Sequence, residues 1–391
     1  MCAEPAASND FELYLHRAVM TDLVPGARYR YRVADAADSW PFRAQPVASP
    51  HEAFSFVAFG DMGESEHAAA KSPGAEFTLE TMQRREMPNL DMVLHVGDIS
   101  YADGNPEIWD AFMDSIEPLS ARLPYMVQVG NHEYGYDKGS EIDPSGGRPY
   151  APSWGNYGPD SGGECGVMLA RRFMMPARSH ADNPPFWYGF DYGSAHFVAI
   201  STEHDLEPGS VQYAWLEAEL AAVDRCRTPW LVLLLHRPMY VVYPHKSNRQ
   251  VGEHIRDSLE PLLRQHLVDL TLAGHVHSYF RTCPVYNERC TDGGGGAHGI
   301  VHVVVGSAGR KLSAVEDGQE EWIAAAERVW GYTRFNVDSA ERMAVEFVES
   351  ETGRVLDAFD VEASEERLRR ACPAAQLAGS GGQGSAAVAT S

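Results

Sequence analysis

Five short polar segments, each placed where an apolar run stops, constrain this chain more than any other feature. They are Gly60-Asp61-Met62-Gly63, Gly97-Asp98-Ile99-Ser100-Tyr101, Gly130-Asn131-His132-Glu133, His236 within LLLHRP, and Gly274-His275-Val276-His277. The runs before them (FSFVAFG, MVLHVG, YMVQVG, WLVLLL, LTLAG) have strand length and alternate with helical patterns near 77–85, 109–116, 212–222 and 254–266. That alternation predicts a layered α/β core. In open α/β folds ligands bind at the carboxyl ends of strands, so residues distant in the chain can converge there. One Gly-Asp after a strand is an ordinary turn or cap. Five such ends contributing Asp, Asp, Tyr, Asn, His and a His-x-His pair point to one site.

The rest of the chain frames that core. Residues 1–48 read as part of a β-sandwich: Leu23-Val24-Pro25-Gly26 is a turn signal, and Tyr29, Tyr31 and Val33 then alternate with arginines. Residues 133–183 are rich in Gly, Pro, Ser and aromatics without periodicity and read as a long surface loop. MAVEFVE and VLDAFDV, joined at Glu351-Thr352-Gly353, read as a closing hairpin. The Gly/Ser/Ala-rich end is expected to lack order. The 391 residues carry a formal net charge of -23, which would repel a polyanion and excludes general nucleic-acid binding. A phosphate-handling site here must therefore create its own positive field. No apolar run of about 18 residues is present, so no membrane-spanning helix is expected. The six cysteines form no CxxC pair, although Cys283 and Cys290 bracket a polar segment that would close as a small loop in an oxidising compartment. The start, MCAEPAASNDF, shows neither the basic nor the apolar region of a signal peptide.

Carboxylate, phenolate and imidazole donors favour iron, manganese and zinc over soft copper(I). Asp61, Asp98 and Tyr101 can bind as anions, whereas Asn131, His236 and His275 are neutral, and the anionic group suits a trivalent ion. One trivalent and one divalent ion, less three anionic ligands, leave two positive charges, matching a phosphomonoester dianion.

The five segments resemble, in order, the motifs GDxG, GDxxY, GNH[DE], VxxH and GHxH, the metal-binding motifs of purple acid phosphatases within the metallophosphoesterase superfamily. GDISYA, GGECG, STEHD, HRPMY and GHVHSYFRTCP resemble the larger plant and algal members, which carry an N-terminal fibronectin-like domain. The resemblance covers roughly residues 50–361. It implies a layered α/β/β/α metallophosphoesterase sandwich preceded by a truncated fibronectin type III-like β segment, whose Leu-x-Pro-Gly-x-x-Tyr pattern is similar to a tyrosine corner. The implied division is 1–48 for that segment, 49–364 for the catalytic domain with its C-terminal part from about 297, and 365–391 for a disordered tail. The implied activity is hydrolysis of phosphate monoesters by a metal-bound hydroxide at a binuclear centre. Fe(III) would be held by Asp61, Tyr101 and His277, and a divalent ion (Zn, Mn or Fe) by Asn131, His236 and His275, with Asp98 bridging. His132 would act on substrate, oriented by Glu133, with His245 near the leaving group.

Two departures stand out: Leu233 replaces the usual Val of the fourth motif, and Lys246 stands where many plant enzymes have a second histidine. The resemblance also implies a small phosphorylated substrate, a homodimer, and a secreted, extracellular or vacuolar location. The alternatives are a nucleotide pyrophosphatase or phosphodiesterase on the same metals, a non-catalytic metal-binding protein, and iron-dependent redox activity as a side function.

Overall fold

The computed structural model describes residues 3–9, 14–34, 37–64, 66, 71–135, 150, 152–242, 246–291, 298–314 and 320–371. Strands β1 (Arg28–Tyr31) and β2 (Trp40–Arg43) form a two-stranded antiparallel ribbon. The Val24 N–H donates to the Tyr29 hydroxyl at 2.8 Å, across the turn that precedes β1. The core then alternates: β3 (Phe54–Phe59), α1 (Ala75–Arg85), β4 (Met92–Val96), α2 (Pro106–Ser120), β5 (Tyr125–Gln128) and the short α3 (Asn131–Tyr134). Next come α4 (Val167–Arg172), β6 (Tyr188–Tyr192), β7 (Ala195–Ala199), α5 (Val211–Ala222), β8 (Trp230–Leu234), α6 (Lys246–Gln265) and β9 (Leu270–Ala273). The chain continues through β10 (Tyr279–Thr282), a small ribbon of β11 (Val285–Tyr286) and β12 (Arg289–Cys290), β13 (Val301–Val305) and β14 (Ile323–Glu327). It closes with β15 (Gly331–Val337), β16 (Arg342–Glu349), β17 (Val355–Glu362) and α7 (Glu365–Ala371).

Two mixed sheets result, ordered β17-β16-β15-β3-β4-β5 and β14-β10-β13-β9-β8-β7-β6. Within them β3, β4 and β5 run parallel, as do β7, β8, β9 and β13. Alternation along β3 shows why the sheets sandwich. Phe54, Phe56 and Ala58 pack into one core between the sheets, and Val57 and Phe59 into another beneath the helices. Strands covered on both faces become continuous apolar runs, which is how they read in the sequence. The outer core takes Met82 from α1, Trp109 and Phe112 from α2, and Ile255 and Leu259 from α6, giving the α/β/β/α layering.

Several expectations need correction. The loop over 133–183 contains α4, because Met168 and Leu169 reach the core. The helix expected from 254 begins at Lys246; its polar first turns hid the apolar stripe of Val251, Ile255 and Leu259. The tail expected from 365 opens instead with α7, where Arg367 packs on Trp230 and pairs with Asp269. The rest of that tail lies outside the described residues. Cys283 and Cys290 are bridged, closing the small loop between them, and Cys165 and Cys226, for which the sequence offered no pairing, are also disulfide-bonded. Among the described residues no helix is long and apolar enough to cross a membrane.

Candidate metal centre

The five polar segments meet where both sheets present the carboxyl ends of parallel strands. β3 delivers Asp61, β4 delivers Asp98 and Tyr101, and β5 delivers Asn131, all from one sheet. β8 and β9 deliver His236, His275 and His277 from the other. The sheets are tied together there: Gly60 N–H donates to Val305 O at 2.9 Å, and His236 Nδ1 lies 3.0 Å from Val96 O. The approach is so close that a Cβ on Gly97 would stand 2.3 Å from His236 Nδ1. Asp61, Asp98, Tyr101, Asp103 and His275 all adopt positive φ, between 49° and 67°. Such backbone is costly for residues other than glycine and clusters at functional sites.

Two donor groups form, the first of Asp61, Asp98 and His277 and the second of Asp98, His236 and His275, each with its ligand atoms within 4.8 Å. Asp98 belongs to both, with one oxygen facing each. Its Oδ2 is 3.0 Å from the Tyr101 hydroxyl, and its Oδ1 is 3.2 Å from His236 Nε2. In the first group Tyr101 O lies 3.1 Å from Asp61 Oδ1 and 3.0 Å from His277 Nε2. His277 Nδ1 faces Lys311 O at 2.9 Å, which assigns its hydrogen to Nδ1 and leaves Nε2 a lone pair. Four lone-pair atoms therefore converge with at most the one phenolic hydrogen between them. In the second group Asn131 Oδ1 lies 3.1 Å from His236 Nε2 and 3.0 Å from His275 Nδ1. The Asn131 amide donates to Asp160 Oδ2 at 3.0 Å, turning its oxygen inward. A surplus of acceptors over hydrogens in a buried pocket is the donor set of a cation. The residues fit a pair of metal ions.

The electrostatics repeat this. Burial favours a neutral Asp98, but His236 and His132 override it and hold its carboxyl well below the usual range. Burial likewise opposes charge on His236, yet Asp98 holds it up to about 10, so a proton answers the same surplus of lone pairs. Burial, then Asp61 and Asp98, push the Tyr101 phenol well up, against Arg310. His275 goes the other way: burial, Arg237 and His236 depress it. His132 is held up to about 9, because Asp98 and the hydrogen-bonded Asp103 outweigh its burial.

His132 stands beside the cluster, its Nδ1 2.7 Å from Asp103 Oδ1. Glu133 does not orient it, contrary to the sequence expectation. The Glu133 carboxylate is buried and accepts from the backbone N–H groups of Asp98, Ile99 and Gly130, bracing two of the strand-end turns against each other. His245 lies outside the described residues, as does the side chain of Lys246. A cavity of about 540 Å³ opens over the cluster, lined in part by His132, Asn156, Asp160, Arg237 and Lys311. Arg237 is buried and grips Glu203 through Nε at 2.8 Å and Nη2 at 3.1 Å. Sequence reasoning missed Asp103, Asp160 and Arg237 as functional residues. Asp103 and Arg237 each adjoin a motif, whereas Asp160 sits in the aperiodic loop and carries no local signal.

Residues 54–279 match the calcineurin-like phosphoesterase family, and residues 299–358 match the iron/zinc purple acid phosphatase-like protein C family. The chain belongs to the purple acid phosphatase family. It is 33% identical to an Arabidopsis thaliana protein named probable inactive purple acid phosphatase 27, over 92% of this chain and 60% of that one. It is 32% identical to a nucleotide pyrophosphatase/phosphodiesterase of Hordeum vulgare, over 86% of this chain and 91% of that one. The solved structure of a purple acid phosphatase from yellow lupin seeds superposes with a TM-score of 0.75 at 30% identity, covering 89% of this chain and 62% of that one. The chain thus spans about three fifths of the length of the Arabidopsis and lupin relatives.

Proposed function

We propose that this chain hydrolyses phosphate monoesters at a binuclear centre, with Fe(III) on Asp61, Tyr101 and His277 and a divalent Zn, Mn or Fe ion on Asn131, His236 and His275. Asp98 is shared between them. The observation that carries this reading is Asp98 itself, one oxygen in each lone-pair cluster and a phenol beside the first. When bound, two such ions neutralise phosphoryl charge and acidify a water for attack at phosphorus.

The chain's own residues do the rest. His132, braced by Asp103 and partly open to the cavity, donates to a phosphoryl oxygen or protonates the leaving alkoxide, a role worth roughly 10²–10⁴-fold. His245 remains the proposed neighbour of the leaving group. Asp160 keeps the Asn131 oxygen turned inward, and Val96 O and Lys311 O fix the rings of His236 and His277. Residues 49–364 form the catalytic unit in this reading, with 1–48 belonging to a fibronectin-like β domain. The disulfides favour an oxidising, secretory location.

The barley relative, matched over nearly its whole length, favours a second reading: the same site acting on diester or anhydride bonds. Assay of the purified, metal-analysed protein on p-nitrophenyl phosphate at acidic pH and on a matched diester decides among them. Monoester turnover with the higher kcat/KM supports the proposal, dominance of the diester replaces it with the second reading, and a fully metal-loaded protein without turnover makes the chain a non-catalytic relative.

A further inference from the structure

We propose that Arg310 tunes the iron–tyrosinate pair by lying as a fixed, unneutralised cation on the Tyr101 ring; this rests on the assignment of Tyr101 as an iron ligand above. The Arg310 guanidinium carbon stands 4.0 Å from the Tyr101 ring centroid. Its backbone is pinned at both ends of the residue, with N–H donating to Asp61 O at 2.9 Å and O accepting from Trp330 Nε1 at 3.0 Å. Nη1 is buried without a hydrogen-bond partner, and among the described residues Arg310 forms no salt bridge, unlike Arg237, whose charge Glu203 cancels.

A cation over an aromatic face is attracted by the ring's electrons, and the planar guanidinium suits that stacking. The attraction grows when the ring carries a phenolate. Ligand-to-metal charge transfer moves an electron from that phenolate to the iron. The cation sits against the ring, while Asp61, Asp98 and His277 converge beyond the hydroxyl, so the cation stabilises the electron donor more than the acceptor. Arg310 thereby raises the transition energy, and removing its charge shifts the band to longer wavelength.

The test uses the iron-loaded full chain and reads the visible spectrum and metal content of wild type, Arg310→Met, Arg310→Gln and Arg310→Lys. Met and Gln should move the maximum to longer wavelength at unchanged iron content, and Lys should return most of the shift. Two charge-removing variants of different polarity guard against one that fails to fold. A maximum unmoved in a variant with full iron overturns the inference, as does Lys shifting as far as Met, since shape rather than charge would then be responsible. A wild-type protein with iron but no tyrosinate band overturns the Tyr101 assignment itself, and this inference with it.

Discussion

Between the sheets, Phe56 stacks on Phe335 at 4.5 Å and meets Phe197 edge-on, while Tyr279 of one sheet lies 4.0 Å over Phe347 of the other. Just past the ends of β3 and of its neighbour β4, Asp61 and Asp98 are as buried as those rings. The first region is apolar, with β-strand backbone, and stabilises the fold. The second gathers carboxylates, a phenol and imidazoles on turns of positive φ, each such residue costing roughly 1–3 kcal/mol. The contrast teaches that the sandwich core supplies the rigidity against which the strand ends hold a charge arrangement that would not assemble alone.

Substitutions separate the two regions by what they change. The largest effect is expected from Asp98→Asn, which takes one anion from both clusters. Metal analysis should show loss of at least one ion, with kcat/KM falling on the order of 10³-fold or more; unchanged metal content would show that the clusters do not act as one site. Phe56→Ala should do the reverse, costing about 3–5 kcal/mol in denaturant unfolding while the protein that remains folded keeps its metals. If Phe56→Ala released metal before it unfolded, the two regions would not be separable.

Glu164 extends the comparison to pH. Burial raises its carboxyl to about 7, only partly offset by N–H groups of Trp109 and Gly104. Between its unfolded value near 4.5 and about 7 the folded chain binds more protons than the unfolded one, so stability falls as pH rises through that window, by at most about 3 kcal/mol. Glu164→Gln should flatten that slope, read as Tm against pH. A slope identical to wild type would show that Glu164 does not set this pH dependence. The smallest effect belongs to Asp160→Ala, which frees the Asn131 amide to rotate. Roughly 10–100-fold weaker binding of one ion, with the other retained, is expected from metal titration.

How much of this was legible in the sequence follows from what is contiguous. The α/β layering and seven candidate ligands could be read because the ligands sit in five short segments, each directly after a strand. Asp103 and Asp160 could not, because their roles depend on meeting His132 and Asn131 across a fold that brings separate loops together. Glu133 was misread for a related reason: its position beside His132 suggested a partner, whereas α3 turns its carboxylate onto the backbone of the β4 and β5 ends. The onset of α6 was hidden because its first turns are polar in sequence, so the apolar stripe becomes visible only from Val251.

The proposed Fe(III) site is the lone-pair cluster at Tyr101. It is tested most directly by the visible spectrum and metal content of wild type and Tyr101→Phe measured side by side. Two metals per chain and a visible band are expected in wild type, with the band abolished in the variant. Full colour surviving in Tyr101→Phe, or an iron-loaded wild type without the band, would contradict it.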